Sequence, residues 1–128
     1  MLPVLTVTLN PTVDVTTSVD AMKPLQKLRC AKPRLDPGGG GVNVSRAIKE
    51  LGGESRAFVA LGGETGTQLR HLLDHTGLMI DYWPLVSETR ISFTVIEEAT
   101  ALPYRFVLPG PEISPFEADQ ILQRLGKP

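Results

Sequence analysis

The amino-acid sequence predicts an α/β fold in which helices cover a parallel sheet. Strand-like and helix-like patterns alternate along the first part of the chain, and each helix-like stretch is long enough for a crossover between parallel neighbours. The twelve glycines and eleven prolines stand between these patterns, where they end one element and begin the next. A chain of 128 residues has room for one compact domain.

The first part of the chain contains two strand–helix pairs. Residues 4–9 have high β propensity and end at an Asn-Pro pair, which predicts a buried first strand. The apolar side chains of residues 42–51 are spaced as on one helical face, and a Gly-Gly pair follows them, which predicts the first helix. Residues 56–61 form a short apolar run typical of a strand, and residues 65–76 repeat the helical spacing before Gly77. We therefore expect two successive crossover units.

Two stretches depart from this alternation. Residues 14–35 carry a mixed pattern that predicts a two-stranded excursion from the main fold. Three strand-like runs then follow one another without a helix, at residues 78–86, 90–97 and 104–108, and they predict a β-meander. In the second run polar and apolar side chains alternate, as in a sheet that projects from the body of a protein. A capping box that begins at Ser114 predicts a final helix.

The composition argues against several classes of protein. Thirteen Lys and Arg against fourteen Asp and Glu give a net charge of −1, and no segment collects the basic residues into a stripe, so nucleic-acid binding is not expected. No apolar run approaches the roughly 18 residues that span a bilayer, so no membrane partner is expected. A single cysteine, Cys30, and a start without the features of a signal peptide favour a cytoplasmic location. His71 and His75 lack the Glu of a His-Glu-x-x-His motif, so no metal site is expected.

Four consecutive glycines, Gly38 to Gly41, stand between an extended segment and the start of a helix. Because Gly38, Gly39 and Gly40 have no side chains, a ligand can approach their backbone N–H groups. Asn43 follows in the first turn, where its amide can both donate and accept hydrogen bonds, as sugar hydroxyls require. A competing interpretation is that the glycines form a flexible connection and that Asn43 is only an N-cap. The loop fits neither the Walker A motif nor Gly-x-Gly-x-x-Gly, so it need not bind a nucleotide.

Three charged residues outside this loop are further candidates. Asp14 follows the first strand at its carboxyl end, where open α/β sheets place ligands, and its carboxylate can accept hydrogen bonds from hydroxyl groups. Lys27 and Arg90 are isolated cations on extended segments, and either could bind a phosphate group. Each of the three could instead be an ordinary surface charge.

Several segments together carry a resemblance to a known family. Residues 8–14 are Thr-Leu-Asn-Pro-Thr-Val-Asp, residues 37–47 are Pro-Gly-Gly-Gly-Gly-Val-Asn-Val-Ser-Arg-Ala, and residues 61–66 are Leu-Gly-Gly-Glu-Thr-Gly. Residues 88–90 and 104–110 are similar to the branch of that family that acts on phosphosugars. From end to end, the chain resembles the N-terminal part of the PfkB, or ribokinase-like, sugar kinases. Several branches of the family carry lysine at the position of Gly40. With glycine there, the chain resembles the bacterial fructose-6-phosphate kinases.

The resemblance implies a ribokinase-like three-layer fold with a projecting β-sheet lid, formed by strands at about 14–35 and 78–108. It implies ATP-dependent phosphorylation of the 1-hydroxyl of fructose 6-phosphate, with ATP and Mg²⁺ as the cofactors of the full-length enzyme. The glycine loop, Asn43 and Asp14 would hold sugar hydroxyls, whereas Lys27 and Arg90 would lie near the 6-phosphate. The lid would close on the sugar phosphate and form a homodimer, which is consistent with the need to shield phosphoryl transfer from water.

The chain departs from the family in one large respect. The second signature of these kinases, Asp-Thr-x-Gly-Ala-Gly-Asp, carries the catalytic base and is absent from the sequence. We therefore expect residues 1–128 to be the N-terminal part of one kinase domain, without the ATP-binding half, without a catalytic residue and without a bound cofactor. Two alternatives stay open: a related kinase for tagatose 6-phosphate or fructose 1-phosphate, and a non-catalytic module that dimerises or binds a partner.

Overall fold

The structure of the chain is a computed structural model that describes residues 4–126. Within that range the chain forms seven strands and three helices, arranged in two sheets. The elements in chain order are β1 (Val4–Thr8), β2 (Thr12–Val19), β3 (Arg34–Gly38), α1 (Gly40–Glu50), β4 (Ser55–Gly62), α2 (Gly63–Asp74), β5 (Met79–Leu85), β6 (Arg90–Glu97), β7 (Leu102–Val107) and α3 (Pro115–Leu125).

The first sheet is parallel and has the strand order β1-β4-β5. Its central strand β4 is buried on both faces. One face packs with Val42 of α1 and with Leu69 and Leu73 of α2, and the other packs with Ile121 of α3. Helices therefore lie on both sides of a parallel sheet, and the predicted α/β class with three layers is confirmed.

The second sheet has the strand order β3-β2-β6-β7. Its central strands β2 and β6 are parallel, with Asp14 opposite Ser92, and the two outer strands run antiparallel to them. On one face, Val13 is buried in the same core cluster as α2, and Val15 and Ile91 pack against it. The polar side chains that alternate with these residues lie on the other face. The alternation predicted for residues 90–97 is confirmed, and it leaves one face of this sheet polar.

The predicted meander of residues 78–108 is wrong for its first strand. Met79–Leu85 pairs in parallel with β4 and belongs to the first sheet, so only β6 and β7 of that stretch lie in the second sheet. The physical reason is burial, because Leu85 and the partly buried Trp83 pack with Phe58 against α3. This packing places β5 in the layer of β4, so β5 belongs to the first sheet.

The excursion predicted for residues 14–35 is also shifted. Its outgoing strand begins at Thr12, and its return strand is Arg34–Gly38, whereas residues 20–33 contain no strand. Pro24 and Pro33 lack the N–H that a ladder needs, which is consistent with this break. β1, predicted to be buried, lies at the edge of its sheet, where Leu5 and Val7 are 50% and 41% exposed.

The final helix begins as predicted. The Ser114 hydroxyl accepts a hydrogen bond from the Glu117 backbone N–H at 3.1 Å, and the Glu117 carboxylate accepts one from the Ser114 N–H at 3.2 Å. This reciprocal pair satisfies two N–H groups that a helix start leaves open. None of the three helices in residues 4–126 is long and apolar enough to cross a membrane.

The core that joins the two sheets can be tested at Leu69, which is fully buried. We expect Leu69→Ala to lower the free energy of unfolding by about 3 kcal/mol, because the substitution leaves a cavity in a close-packed cluster. Urea unfolding followed by circular dichroism measures the change. Leu122→Ala is the matched control, since Leu122 is 67% exposed on α3, and it should cost less than about 0.5 kcal/mol. Equal losses for the two variants would contradict the assignment of the core.

Candidate functional site

A cavity of about 390 Å³ lies between the polar face of the second sheet and the start of α1. It is open to solvent and is lined by side chains from β2, β6 and β7 together with the glycine loop. The predicted site residues that line it are Asp14, Gly39, Gly40, Asn43 and Arg90. Residues that are distant in the sequence therefore line one cavity.

The glycine loop is packed tightly against the end of β1. A Cβ at Gly41 would overlap with the hydroxyl of Thr8, and a Cβ at Gly39 would lie 2.6 Å from the methyl group of Thr8. Gly39 also has a φ of +131°, which L side chains rarely adopt. The Thr8 hydroxyl accepts a hydrogen bond from the Val42 N–H at 3.0 Å. These contacts favour a closely packed loop over the competing interpretation of a flexible connection.

Gly40 differs from its neighbours in the loop. A Cβ placed there would meet no atom within 4 Å, and the residue is exposed and lines the cavity. Packing does not require glycine at this position, so the place of Gly40 on the cavity wall is what sets it apart from the other glycines of the loop.

Asn43 lies in the first turn of α1, with its N–H bonded to the Gly39 carbonyl at 2.9 Å. The N-cap of α1 is Gly39, and no side chain caps this helix start. The interpretation of Asn43 as an N-cap is therefore wrong. Its exposed amide is instead placed on the wall of the cavity, where it can donate to and accept from a polar ligand.

Asp14 contributes the carboxylate of the cavity and is half-buried. Burial raises the pKa of Asp14 above its ordinary value, and Asp36 on the neighbouring strand raises it further, whereas the Thr12 hydroxyl and the Arg90 guanidinium lower it. A Cβ at Gly38 would overlap with Oδ2 of Asp14, so glycine is required there to leave space for the carboxylate. Gly38 thus belongs to the site by supporting Asp14, although it does not line the cavity.

Arg90 is held by two carbonyl groups. Its Nη1 donates to the Leu108 carbonyl at 3.4 Å and its Nη2 to the Asn10 carbonyl at 3.2 Å. Its Nε is buried without a hydrogen-bond partner, and the same is true of the Ser92 hydroxyl, which also lines the cavity. Buried polar groups are rarely left unpaired, so these two atoms mark unused hydrogen-bonding capacity in residues that line the cavity.

Sequence reasoning missed the other residues that line the cavity, among them the polar side chains of Thr12, Ser92 and Arg105. Ser92 stands two residues after Arg90, and strand periodicity alone could have placed the two side chains on one face. Arg105 lies opposite Thr94 in the β6–β7 ladder and is exposed. Its position depends on the register of that hairpin, which the sequence did not specify. With Arg105, the cavity has a second guanidinium group.

The structure does not bring Lys27 to this cavity. Lys27 is exposed in the segment between β2 and β3 and lines a separate cavity of about 230 Å³, together with Lys23 and Arg29. The prediction that Lys27 and Arg90 lie near one phosphate group is therefore not met within a single chain. Among residues 4–126, no cluster of three His, Cys, Asp or Glu side chains could hold a metal ion.

Comparisons with known proteins agree on one family. The sequence profile described as "pfkB family carbohydrate kinase" matches residues 7–125. The chain is 49% identical over 122 residues to the ATP-dependent 6-phosphofructokinase isozyme 2 of Mycobacterium tuberculosis strain H37Rv, covering 95% of this chain and 36% of that protein. It is 38% identical over 125 residues to the isozyme 2 of Escherichia coli strain K12, covering 98% of this chain and 40% of that protein.

Solved structures give the same result. The crystal structure of phosphofructokinase-2 from Escherichia coli in complex with fructose-6-phosphate superposes with a TM-score of 0.92 at 38% identity, over 98% of this chain and 41% of that one. A tetrameric inhibited form of the same enzyme gives a TM-score of 0.90. The chain thus spans less than half the length of these relatives. Since the family profile extends over nearly all of the sequence, the chain belongs to the pfkB family of carbohydrate kinases.

Proposed function

We propose that this chain provides the sugar-phosphate site of an ATP-dependent 6-phosphofructokinase, which phosphorylates fructose 6-phosphate. The observation that carries the proposal is the meeting of Asp14, Asn43, Arg90 and Arg105 around one cavity, with the Nε of Arg90 buried and unpaired. The names of the relatives from Mycobacterium tuberculosis and Escherichia coli support it, as does the fructose-6-phosphate complex of the latter.

The lining residues form two groups, which suit two different parts of a ligand. An ionised Asp14 accepts hydrogen bonds, and the Asn43 amide both donates and accepts them, so together they suit the hydroxyl groups of a sugar. The Arg90 and Arg105 guanidinium groups donate to phosphate oxygens, and such charge-assisted bonds are stronger than neutral ones. A sugar that carries a phosphate uses both parts of the cavity.

The residues of this chain do not fit ATP with Mg²⁺. Asp14 is the carboxylate that lines the cavity, and residues 4–126 form no metal-binding cluster around it. The loop lacks the motifs that cradle nucleotide phosphates, and the signature with the catalytic base is absent from the sequence. We therefore assign sugar-phosphate binding to this chain and no step of phosphoryl transfer. The cytoplasmic location expected from the sequence stays a prediction.

Binding of fructose 6-phosphate to the 128-residue chain tests the proposal. We expect isothermal titration calorimetry to detect binding that Arg105→Ala weakens about tenfold, because one charge-assisted contact with the phosphate is lost. Arg29→Ala is the matched control, since Arg29 is exposed and lies outside the cavity, and it should leave the affinity unchanged. Tighter binding of tagatose 6-phosphate or fructose 1-phosphate would favour a related kinase, and no binding of any of the three would contradict the proposal.

The raised pKa of Asp14 gives the binding a pH dependence. Above that pKa the carboxylate is ionised and accepts hydrogen bonds from the sugar, so the affinity is full. As the pH falls through the raised pKa, Asp14 takes up a proton and the affinity decreases. The same titration with Asp14→Asn isolates this effect, because asparagine does not ionise, whereas the phosphate of the ligand titrates in both cases. The proposal predicts a larger decrease for the wild type, and parallel profiles would argue against a role for Asp14.

We also propose that the second sheet forms a lid that closes over the sugar phosphate and pairs two copies of the chain. An apolar patch on β6 and β7 supports this, since the Phe93 and Phe106 rings stack with centroids 5.0 Å apart beside the partly exposed Tyr104. Exposed aromatic patches commonly mark interfaces. One solved relative is described as a tetramer, and that description belongs to the Escherichia coli enzyme.

The interface can be tested by light scattering after size exclusion. We expect the wild-type chain to be dimeric at micromolar concentration and Tyr104→Glu to be monomeric, because the substitution buries a charge in the contact. Gln68→Glu on α2 adds the same single negative charge at an exposed position outside the second sheet, and it should leave the dimer intact. A wild-type monomer, or a dimer that survives Tyr104→Glu, would refute the pairing through this patch.

A further inference from the structure

The chain crosses between the two sheets at one end of the molecule, and one of these crossings leads directly into the site. The crossing segment, residues 86–89, connects β5 of the first sheet to β6 of the second. Arg90, the first residue of β6, follows it without a gap and lines the cavity. The position of Arg90 therefore depends on how this segment is held.

Glu88 fixes the segment to the start of α2. Its Oε1 accepts a hydrogen bond from the Thr65 N–H at 2.5 Å. A Cβ on Gly63 would overlap with the Glu88 carboxylate, and Gly63 also has a φ of +69°, so only glycine leaves room for this contact. Hydrogen bonds from the Thr65 backbone N–H and the Thr65 hydroxyl hold the pKa of Glu88 below its ordinary value, so the side chain is ionised at neutral pH and complements the positive end of the helix.

Thr89 fixes the next residue of the segment to the end of β4. Its N–H donates to the Gly62 carbonyl, and its hydroxyl accepts from the Gly62 N–H, both at 2.9 Å. Thr89 is 4% exposed. Gly62 has no room for a Cβ, which would overlap with the Ser87 and Leu85 carbonyls. The crossing segment thus lies directly on the junction between β4 and α2.

Arg90 contacts two other connecting segments of the polypeptide. Its guanidinium binds the Asn10 carbonyl, between β1 and β2, and the Leu108 carbonyl, after β7. Both partners are main-chain groups, and these two contacts hold the end of the side chain. Glu88 and Thr89 hold the backbone immediately before Arg90, at the start of α2 and the end of β4. Glu88 itself does not line the cavity.

We propose that Glu88 is a positioning residue for the sugar-phosphate site: its carboxylate, held at the start of α2, fixes the crossing segment so that Arg90 faces the phosphate of the ligand. This inference rests on the function proposed above for the cavity, and it adds a residue that acts through Arg90 without touching the ligand. It also assigns a role to Gly63, which makes the space that the Glu88 carboxylate needs.

The test compares Glu88→Ala with Glu64→Ala in the full 128-residue chain. Glu64 is an exposed residue in the first turn of α2, the turn that Glu88 contacts. Its replacement removes one negative charge at that helix start and leaves the contact between Glu88 and α2 in place. We expect Glu88→Ala to weaken fructose 6-phosphate binding about fivefold and Glu64→Ala to leave it unchanged. Glu88→Gln keeps the shape and one acceptor oxygen, so it should recover part of the loss.

A second readout reports on Arg90 without any ligand. The Nε–H resonance of Arg90 in a ¹⁵N NMR spectrum is identified as the signal lost in Arg90→Lys, and we expect it to shift or broaden in Glu88→Ala and to stay in place in Glu64→Ala. If the wild type fails to bind fructose 6-phosphate, the proposed function is wrong, and this resonance still decides whether Glu88 positions Arg90.

A lower melting temperature of Glu88→Ala with an unmoved resonance and unchanged affinity would make Glu88 a structural residue only and overturn the inference. If Glu88→Ala does not fold, the same two measurements on Glu88→Gln decide it.

Discussion

The close approach of the glycine loop to Thr8 at the end of β1 is the constraint on which the site depends. A side chain at Gly41 would overlap with the Thr8 hydroxyl, and that hydroxyl also holds the Val42 N–H. The contact places the start of α1 at the carboxyl end of the parallel sheet, where open α/β folds bind ligands. It also fixes the direction in which Asn43 leaves the helix. The cavity is thus defined first by backbone packing and only then by polar side chains.

The second sheet completes the cavity because it is amphipathic. Val13 is buried with α2, while Asp14, the next residue, lies on the opposite face beside Arg90. One strand therefore both fastens the sheet to the body and supplies its charged group. Arg90 and Thr12 offset only part of the energetic cost of half-burying the Asp14 carboxylate, because the pKa of Asp14 stays above its ordinary value. Such a pair of opposed charges in a partly desolvated space is suited to a ligand with both hydroxyl and phosphate groups.

The sequence was sufficient for the parts of the fold that depend on local chemistry. The structure confirms three helices that were predicted from local patterns. These patterns are the capping box at Ser114, the helical spacing of apolar residues in α1 and α2, and the glycines that follow those two helices. Strand pairing was predicted less well, because partners distant in sequence compete for the same strand: β5 was expected in the meander but pairs in parallel with β4. The same limit applies to Arg105, whose place in the site follows from the β6–β7 register. Lys27 was singled out by its charge and by the family resemblance, and neither determines where the side chain lies within a single chain.

The edge position of β1 has a consequence for the chain in solution. Along that edge the backbone N–H and C=O groups of an apolar strand face outward, and such an edge can accept a strand from another molecule. This surface is distinct from the apolar patch on β6 and β7, through which two copies of the chain would pair with two-fold symmetry. A molecule that carries both kinds of contact can join pairs into open-ended filaments, since the edge-to-edge contact does not saturate within a pair. If the pairing proposed above holds, mass distributions at high concentration are the sum of a closed and an open mode of self-association.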